Sequence, residues 1–273
     1  MDTKDILNNN NFNFKKKFGQ NFLLDQNILD NIIKEADIKD NTLVIEIGVG
    51  AAALTKKISE KANKVLGYEI DITLKEPLNE ILKGYDNIDI IFDDFLERNI
   101  KEDLKKYNYD HLMVISNLPY YITTPIITKF IDEKIDAKKL IVMVQKEVAD
   151  RFTAKMGTKD YNSLTVFLSY FFDIKKAFIV SKNVFYPRPN VDSAVVVFNK
   201  KEKKEKIISE ELFFKLVRDS FKQKRKTLKN NLKGYNLDII NEVLNKYNMD
   251  INVRAETLSL EIFIDVSNNL AKQ

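Results

Sequence analysis

The chain contains no cysteine and a single histidine, His111. The first absence excludes disulfides, thiolate zinc sites, iron–sulfur clusters and cysteine nucleophiles. The second excludes multi-histidine metal sites and leaves His111 alone for any histidine-based triad. Long apolar runs are missing as well: nothing approaches the ~18–20 residues of a membrane span, and the polar N-terminus has no signal-peptide core. Together these absences predict a soluble, cytoplasmic protein with no metal and no membrane partner. A strong charge of one sign is also lacking, since 44 Lys+Arg face 40 Asp+Glu for a net charge of +4. Any nucleic-acid surface must therefore come from local clustering of basic residues. What is present is enough apolar material for a sizeable core, 44% of 273 residues. That length fits one large domain, or one domain with a smaller appendage.

Residues 1–14 are rich in Asn and predict a disordered tail. A basic-aromatic patch follows, Lys15-Lys16-Lys17-Phe18-Gly19-Gln20-Asn21-Phe22, and then Asp25, placed to cap a helix through Ile28, Leu29, Ile32 and Ile33. The period then changes. Short β-branched runs at 42–47, 64–70, 88–92, 112–116 and 140–144 alternate with helical segments at 51–58, 74–82 and 125–131. Pro77 restricts where the second of these helices starts. Two late strands, 177–180 and 194–198, have no convincing helix between them and predict an antiparallel edge. The pattern is that of an α/β fold with a mostly parallel sheet covered on both faces. The charge run Lys200 to Lys206 reads as a solvated linker, and beyond it apolar residues recur at helical spacing only, through Leu212, Leu216, Ile240, Leu244, Leu258 and Ile262. A small all-helical domain over 207–273 is predicted, after a first domain over 15–199.

The turn after the first long strand reads Glu46-Ile47-Gly48-Val49-Gly50-Ala51-Ala52. Glycines let the chain turn tightly and a ligand approach the backbone. The helix start beyond them offers free amides. Glu69 ends the next strand, where an acid of a doubly wound fold can hold both ribose hydroxyls. Asp94, after the third strand, is placed to accept from an adenine amine. The usual third glycine is absent, with Ala52 near its place. Nicotinamide cofactors and S-adenosylmethionine both fit these features.

Ser116-Asn117-Leu118-Pro119-Tyr120-Tyr121 follows the fourth strand. Asn117 brings a side-chain carbonyl acceptor. Pro119 stiffens the loop, with the nearby carbonyls expected to point outward. Tyr120 offers a flat ring for a base. Such a set can grip an exocyclic amine, pull its lone pair out of conjugation and stabilise the positive charge that develops on attack. No strong base is needed against a sulfonium methyl, so the shortage of His and Cys is no obstacle.

These segments, KKKFGQNFLLD (15–25), EIGVG (46–50), YEID (68–71), SNLPYYITTPI (116–126), VQKEVADR (144–151), FYPRPNVDSAVV (185–196), FKQKRKTLKN (221–230) and RAETLS (254–259), occur in one order along nearly the whole chain from Lys15. In that order they resemble the ribosomal RNA adenine dimethyltransferase family. The resemblance implies a Rossmann-like class I methyltransferase sheet and S-adenosylmethionine as cofactor. It implies that Asn21, Leu23, Gly48, Gly50, Glu69, Asp94 and Asn117 bind that cofactor. Asn117 and the Leu118 carbonyl, beside Pro119, would orient the target amine, and Tyr120 and Phe185 would sandwich the target adenine. The implied substrate is a pair of adjacent adenosines in a 3′-terminal hairpin loop of small-subunit ribosomal RNA, each methylated twice. The implied partner is the immature 30S particle, met by a monomer. One departure stands out: Val49 replaces the family's usual proline, and Ala51-Ala52-Ala53 follows, which predicts a looser loop.

Lys222, Lys224, Arg225, Lys226 and Lys229 put five basic residues within eight positions of a predicted helix and form the main candidate RNA contact. Lys15 to Lys17 are a second candidate. Lys146 and Arg151 read equally as RNA contacts or as structural residues. His111 leads into the fourth strand. Two other readings stand beside the main one. One is an assembly factor for which binding the immature subunit matters more than catalysis. The other is a large-subunit adenine methyltransferase of the antibiotic-resistance type, against which the Leu before Pro119 speaks.

Overall fold

The computed structural model describes residues 21–23, 25–119, 122–202 and 205–272. The predicted tail, the Lys15–Lys17 patch and Tyr120 lie outside the described residues.

The elements follow in chain order. The first half holds β1 (Phe22–Leu23), α1 (Gln26–Ala36), β2 (Thr42–Ile47), α2 (Ala53–Ser59), β3 (Lys64–Glu69), α3 (Lys75–Ile81), β4 (Ile88–Phe92), α4 (Ile100–Leu104), β5 (His111–Asn117), α5 (Thr123–Asp132) and β6 (Lys139–Gln145). The second half holds α6 (Lys146–Phe152), α7 (Ser163–Phe171), β7 (Phe172–Val180), β8 (Phe185–Tyr186), β9 (Ser193–Lys200), α8 (Glu210–Ser220), α9 (Leu228–Asn231), α10 (Leu237–Asn245) and α11 (Leu260–Leu270).

Seven strands form one sheet in the order β4-β3-β2-β5-β6-β9-β7. The pairs β4–β3, β3–β2, β2–β5 and β5–β6 are parallel, and β9 joins β6 antiparallel with Val142 opposite Val196. The strand order reverses between β2 and β5, which is the switch point where an open α/β sheet binds ligands. The sheet is Rossmann-like, mostly parallel with an antiparallel margin, as the strand and helix alternation predicts. Central strands are apolar on both sides because both faces are covered. Val44, Val65, Met113, Ile115, Ile141 and Val195 pack with α1 and α2 through Leu29, Ile32, Leu54 and Ile58. Tyr68 points to the opposite face by strand alternation and meets Phe95, which stacks on Phe130. The Asp25 cap forms as predicted: its Oδ1 accepts from the Ile28 amide at 3.1 Å. Pro77 is the third residue of α3, where its missing N–H has no partner to lose.

The chain divides into two compact units, 1–149 with 175–200 and 150–174 with 201–273. Residues 150–174 thus belong with the helices, against the boundary at 199 predicted from sequence. The cause is α7, a helix apolar on most sides, whose Val166 and Tyr170 pack with Phe213, Leu216, Val217, Ile240, Val243 and Phe263. Asn162 starts α7 with a capping box, accepting from the Leu164 and Thr165 amides while Thr165 Oγ1 returns to the Asn162 amide. No helical stripe marks this segment, so periodicity alone misses it. Among the described residues no helix is long and apolar enough to cross a membrane, and no group of three or more His, Cys, Asp or Glu is placed to hold a metal ion.

Candidate active site

The carboxyl ends of β2, β3 and β5 open into one cleft. Its wall contains Asn21, Leu23, Glu46, Gly48, Gly50, Glu69, Asn117, Leu118 and Pro119. Eight of those nine are residues singled out from sequence; Glu46 is the addition. The turn after β2 takes left-handed backbone at Gly48 (φ 79°), Gly50 (φ 56°) and Ala52 (φ 58°). Gly48 has room beside it: an added Cβ would make only ordinary van der Waals contact, with the Asn117 carbonyl oxygen and Pro119 Cδ, both at 3.9 Å. Gly50 has no such room, since its Cβ would stand 2.9 Å from the Phe22 ring. Ala52 adopts the conformation glycine usually supplies, at a cost of ~1–2 kcal/mol for an L-residue.

The turn is not slack. The Gly48 amide donates to the Tyr68 carbonyl at 2.8 Å, the Ala52 amide to the Val49 carbonyl at 3.0 Å, and Val49 packs where Gly67 carries no side chain. Glu69 completes the ties. One carboxylate oxygen accepts from the Gly50 amide and the other from the Asp71 amide, both at 2.9 Å. Burial raises the Glu69 pKa, and these two amides offset part of the rise. Each oxygen keeps a further lone pair for a ribose hydroxyl.

Glu46 is more extreme. It lies on the α2 side of β2 and is 1% exposed. Burial pushes its carboxyl up to about 8; the Thr55 hydroxyl acts the other way, and the nearby Glu69 charge adds to the rise. The Thr55 geometry falls short of a hydrogen bond, so Glu46 Oε2 and Thr55 Oγ1 both lack a partner.

Asn117 ends β5. Its amide nitrogen donates to the Asn21 carbonyl at 3.1 Å, which leaves the side-chain oxygen as the free acceptor. Ser116 ties the same strand end to β2 by donating to the Ile47 carbonyl at 2.5 Å. The Pro119 carbonyl itself is turned into the fold: it accepts from the Ile122 amide at 3.2 Å and the Thr123 hydroxyl at 3.4 Å, because it closes the turn into α5.

Other predicted residues lie off the cleft wall. Asp94 is half-buried and spends Oδ1 on the Leu96 amide at 2.9 Å, capping a short turn after β4. Phe185 pairs across the small ladder with Leu23 and is 5% exposed, inside the sheet's core. It is therefore not an open stacking surface in this structure. The basic cluster needs correction too. Helix α8 ends at Ser220, and Lys222, Lys224, Arg225 and Lys226 occupy the turns before α9, which carries Lys229. All five are exposed. Between Phe221 and Leu228 there is no apolar side chain to anchor a helix face. Sequence reasoning also missed the support behind Asp94. Arg98 holds Asp103 through two hydrogen bonds, Nη2 at 2.5 Å and Nε at 3.1 Å, and reaches Asp93 at 3.2 Å. Tyr68 donates to the same Asp103 at 3.1 Å. Only the charge alternation at 93–103 hints at this network.

A protein-family model described as ribosomal RNA adenine dimethylase matches residues 11–272. The chain belongs to this family. It is 45% identical to the ribosomal RNA small subunit methyltransferase A of Bacillus pumilus (strain SAFR-032) over 99% of this chain and 96% of that one. It is 43% identical to the protein of the same description from Alkaliphilus oremlandii (strain OhILAs), over 99% and 96%. Among solved structures, a dimethyladenosine transferase from Plasmodium falciparum superposes with a TM-score of 0.76 at 27% identity, covering 90% of this chain and 95% of that one. The 23S rRNA methyltransferase ErmE superposes equally well, TM-score 0.76 over 92% and 100%, but at 23% identity that likeness concerns the fold alone.

Proposed function

We propose that this chain transfers methyl groups from S-adenosylmethionine to the exocyclic amines of two adjacent adenosines in a 3′-terminal hairpin loop of 16S ribosomal RNA. It is an S-adenosylmethionine-dependent methyltransferase of the ribosomal RNA adenine dimethylase family. The single observation that carries the site assignment is the meeting of Glu69, the Gly48–Gly50 turn and the free Asn117 oxygen in one cleft at the switch point of the sheet.

The residues present fit the cofactor. The bare surface of Gly48 admits close approach, Glu69 keeps lone pairs for the ribose, and Glu46 offers an unpartnered carboxyl oxygen. Bound there, S-adenosylmethionine supplies an electrophilic methyl. The chain supplies position and charge. Asn117 accepts one amine hydrogen and the Leu118 carbonyl another, drawing the nitrogen toward tetrahedral geometry and stabilising its developing positive charge. Ser116 and the Asn21 carbonyl hold Asn117 in place. A loop base is splayed out at modest cost, which suits a family acting on RNA. The exposed basic turn 222–229 is the phosphate-contacting surface of the helical unit. We assign the immature 30S particle as the partner, the monomer as the working form and the cytoplasm as the site of action. The test is incubation of methyl-labelled S-adenosylmethionine with unmethylated immature small subunits and with 23S RNA, followed by mapping. Label on two adjacent small-subunit adenosines is expected; label on 23S RNA alone would overturn the assignment.

A further inference from the structure

Arg98, Asp103 and Tyr68 form a network that the reaction as described does not use. Arg98 grips the Asp103 carboxylate through Nη2 and Nε, and Tyr68 donates its hydroxyl to Asp103 Oδ2 at 3.1 Å. From the same guanidinium, Nη1 donates to Asp93 Oδ2 at 3.2 Å. The other Asp93 oxygen accepts from the Asp94 amide at 2.8 Å. One unbroken run of hydrogen bonds thus joins the end of β3 to the segment after β4.

Both ends of that run meet residues assigned to the methyl donor. Tyr68 directly precedes Glu69, and its carbonyl accepts from the Gly48 amide at 2.8 Å. Its ring meets Phe95 edge-on, with centroids 5.0 Å apart, and Phe95 directly follows Asp94. Between β4 and α4 the backbone makes one short turn, Phe95–Glu97, closed by the Glu97 amide on the Asp94 carbonyl at 3.0 Å. A segment with so little regular structure keeps its conformational freedom unless side chains tie it down. Arg98 and Asp93 supply that tie on one side, and Tyr68 on the other. Asp94 Oδ1 caps the turn through the Leu96 amide at 2.9 Å, which leaves Oδ2 for an adenine amine. A hydrogen bond weakens steeply away from its preferred distance and angle, so the placing of this oxygen decides how well the base is read.

We propose that Arg98, Asp103 and Tyr68 are positioning residues for donor recognition: they fix Asp94 at one distance from Glu69, so that ribose and base are read together and the base is held to adenine. This rests on the reading of the cleft as the S-adenosylmethionine site with Asp94 as its adenine acceptor. The three act through Asp94 and Glu69, not by contact with the donor. Hypoxanthine, which carries a carbonyl oxygen where adenine carries its amine, is the base that such an acceptor rejects.

Titration calorimetry of the whole protein with S-adenosylhomocysteine and with its hypoxanthine counterpart, S-inosylhomocysteine, tests this. The ratio of the two affinities reports on Asp94, because the ribose and the amino-acid arm are common to both ligands. The parent should favour adenine. Arg98→Met, checked for folding by its thermal transition, should lower the ratio by roughly two- to tenfold, the range of one hydrogen bond. Tyr68→Phe keeps the ring against Phe95 and removes only the hydroxyl; it should lower the ratio in the same direction. Arg98→Lys, which keeps a cation, should recover part of it. Ile141→Val, a truncation in the sheet's core that also lowers stability, should leave the ratio at the parent value. In an Asp94→Ala background, Arg98→Met should change the ratio no further. An unchanged ratio in folded Arg98→Met and Tyr68→Phe would overturn the proposal. So would an equal fall in Ile141→Val, or a full effect of Arg98→Met without Asp94. An unchanged ratio in Asp94→Ala alone would remove the adenine acceptor first, and failure of the parent to bind either ligand would remove the cleft reading itself.

Discussion

At the scale of single residues, the cleft divides labour between two kinds of oxygen. Asn117 offers a neutral acceptor, suited to an amine that must become positive. Glu69 offers a charged one, already bonded to two backbone amides. Asn117→Ala is expected to lower methyl transfer at least roughly a hundredfold, the scale of losing one transition-state hydrogen bond. Cofactor affinity should fall far less, through the freed Asn21 carbonyl; stopped-flow turnover and calorimetry separate the two effects. Glu69→Ala should weaken cofactor binding by ~1–3 kcal/mol and also lower the melting temperature, because it strands the Gly50 and Asp71 amides. Glu69→Gln, which keeps one acceptor oxygen, should recover part of both. These acceptors are legible in the sequence because their residue types and places at strand ends are distinctive. Glu46 is not, since a buried acid and a surface acid look alike in a strand of six residues.

At the scale of elements, strand boundaries are legible because buried parallel strands are short apolar runs. The basic segment reads as a helix and is not one, because charge density says nothing about backbone without an apolar stripe. The network behind β4 is invisible in the sequence, since it pairs residues whose contact depends on the fold. Its worth can be measured. Burial would raise the Asp103 pKa, but Arg98 and Tyr68 outweigh it and hold the carboxyl below its ordinary value. The pair therefore stabilises the fold above the unfolded carboxylate pKa of about 4, and that contribution fades as pH falls through the lower folded value. Arg98→Met should cost roughly 1–3 kcal/mol at neutral pH, below the ~3–5 of a fully buried pair, because solvent reaches the arginine. Urea unfolding at pH 7 and pH 3 checks this: the difference from the parent should shrink in acid.

At the scale of the whole molecule, the chain divides into two compact units, to which we assign different tasks: methyl transfer to one, phosphate contact to the other. Their interleaved boundary escapes a search for composition breaks, because α7 returns from within the first unit's sequence to complete the second core. Neutralising Lys224, Arg225 and Lys226 together should weaken RNA binding without altering cofactor affinity. It should also flatten the salt dependence by ~0.7–0.9 logarithmic unit for each phosphate that is no longer neutralised. An unchanged slope in filter binding would return this turn to solvent. A crystal structure of the protein with S-adenosylmethionine bound tests the cleft most directly. The ribose is expected at Glu69, and the methyl is expected to open onto the same space as the Asn117 side-chain oxygen. A donor whose methyl faces away from Asn117, or is separated from it by the protein's own side chains, would contradict that assignment.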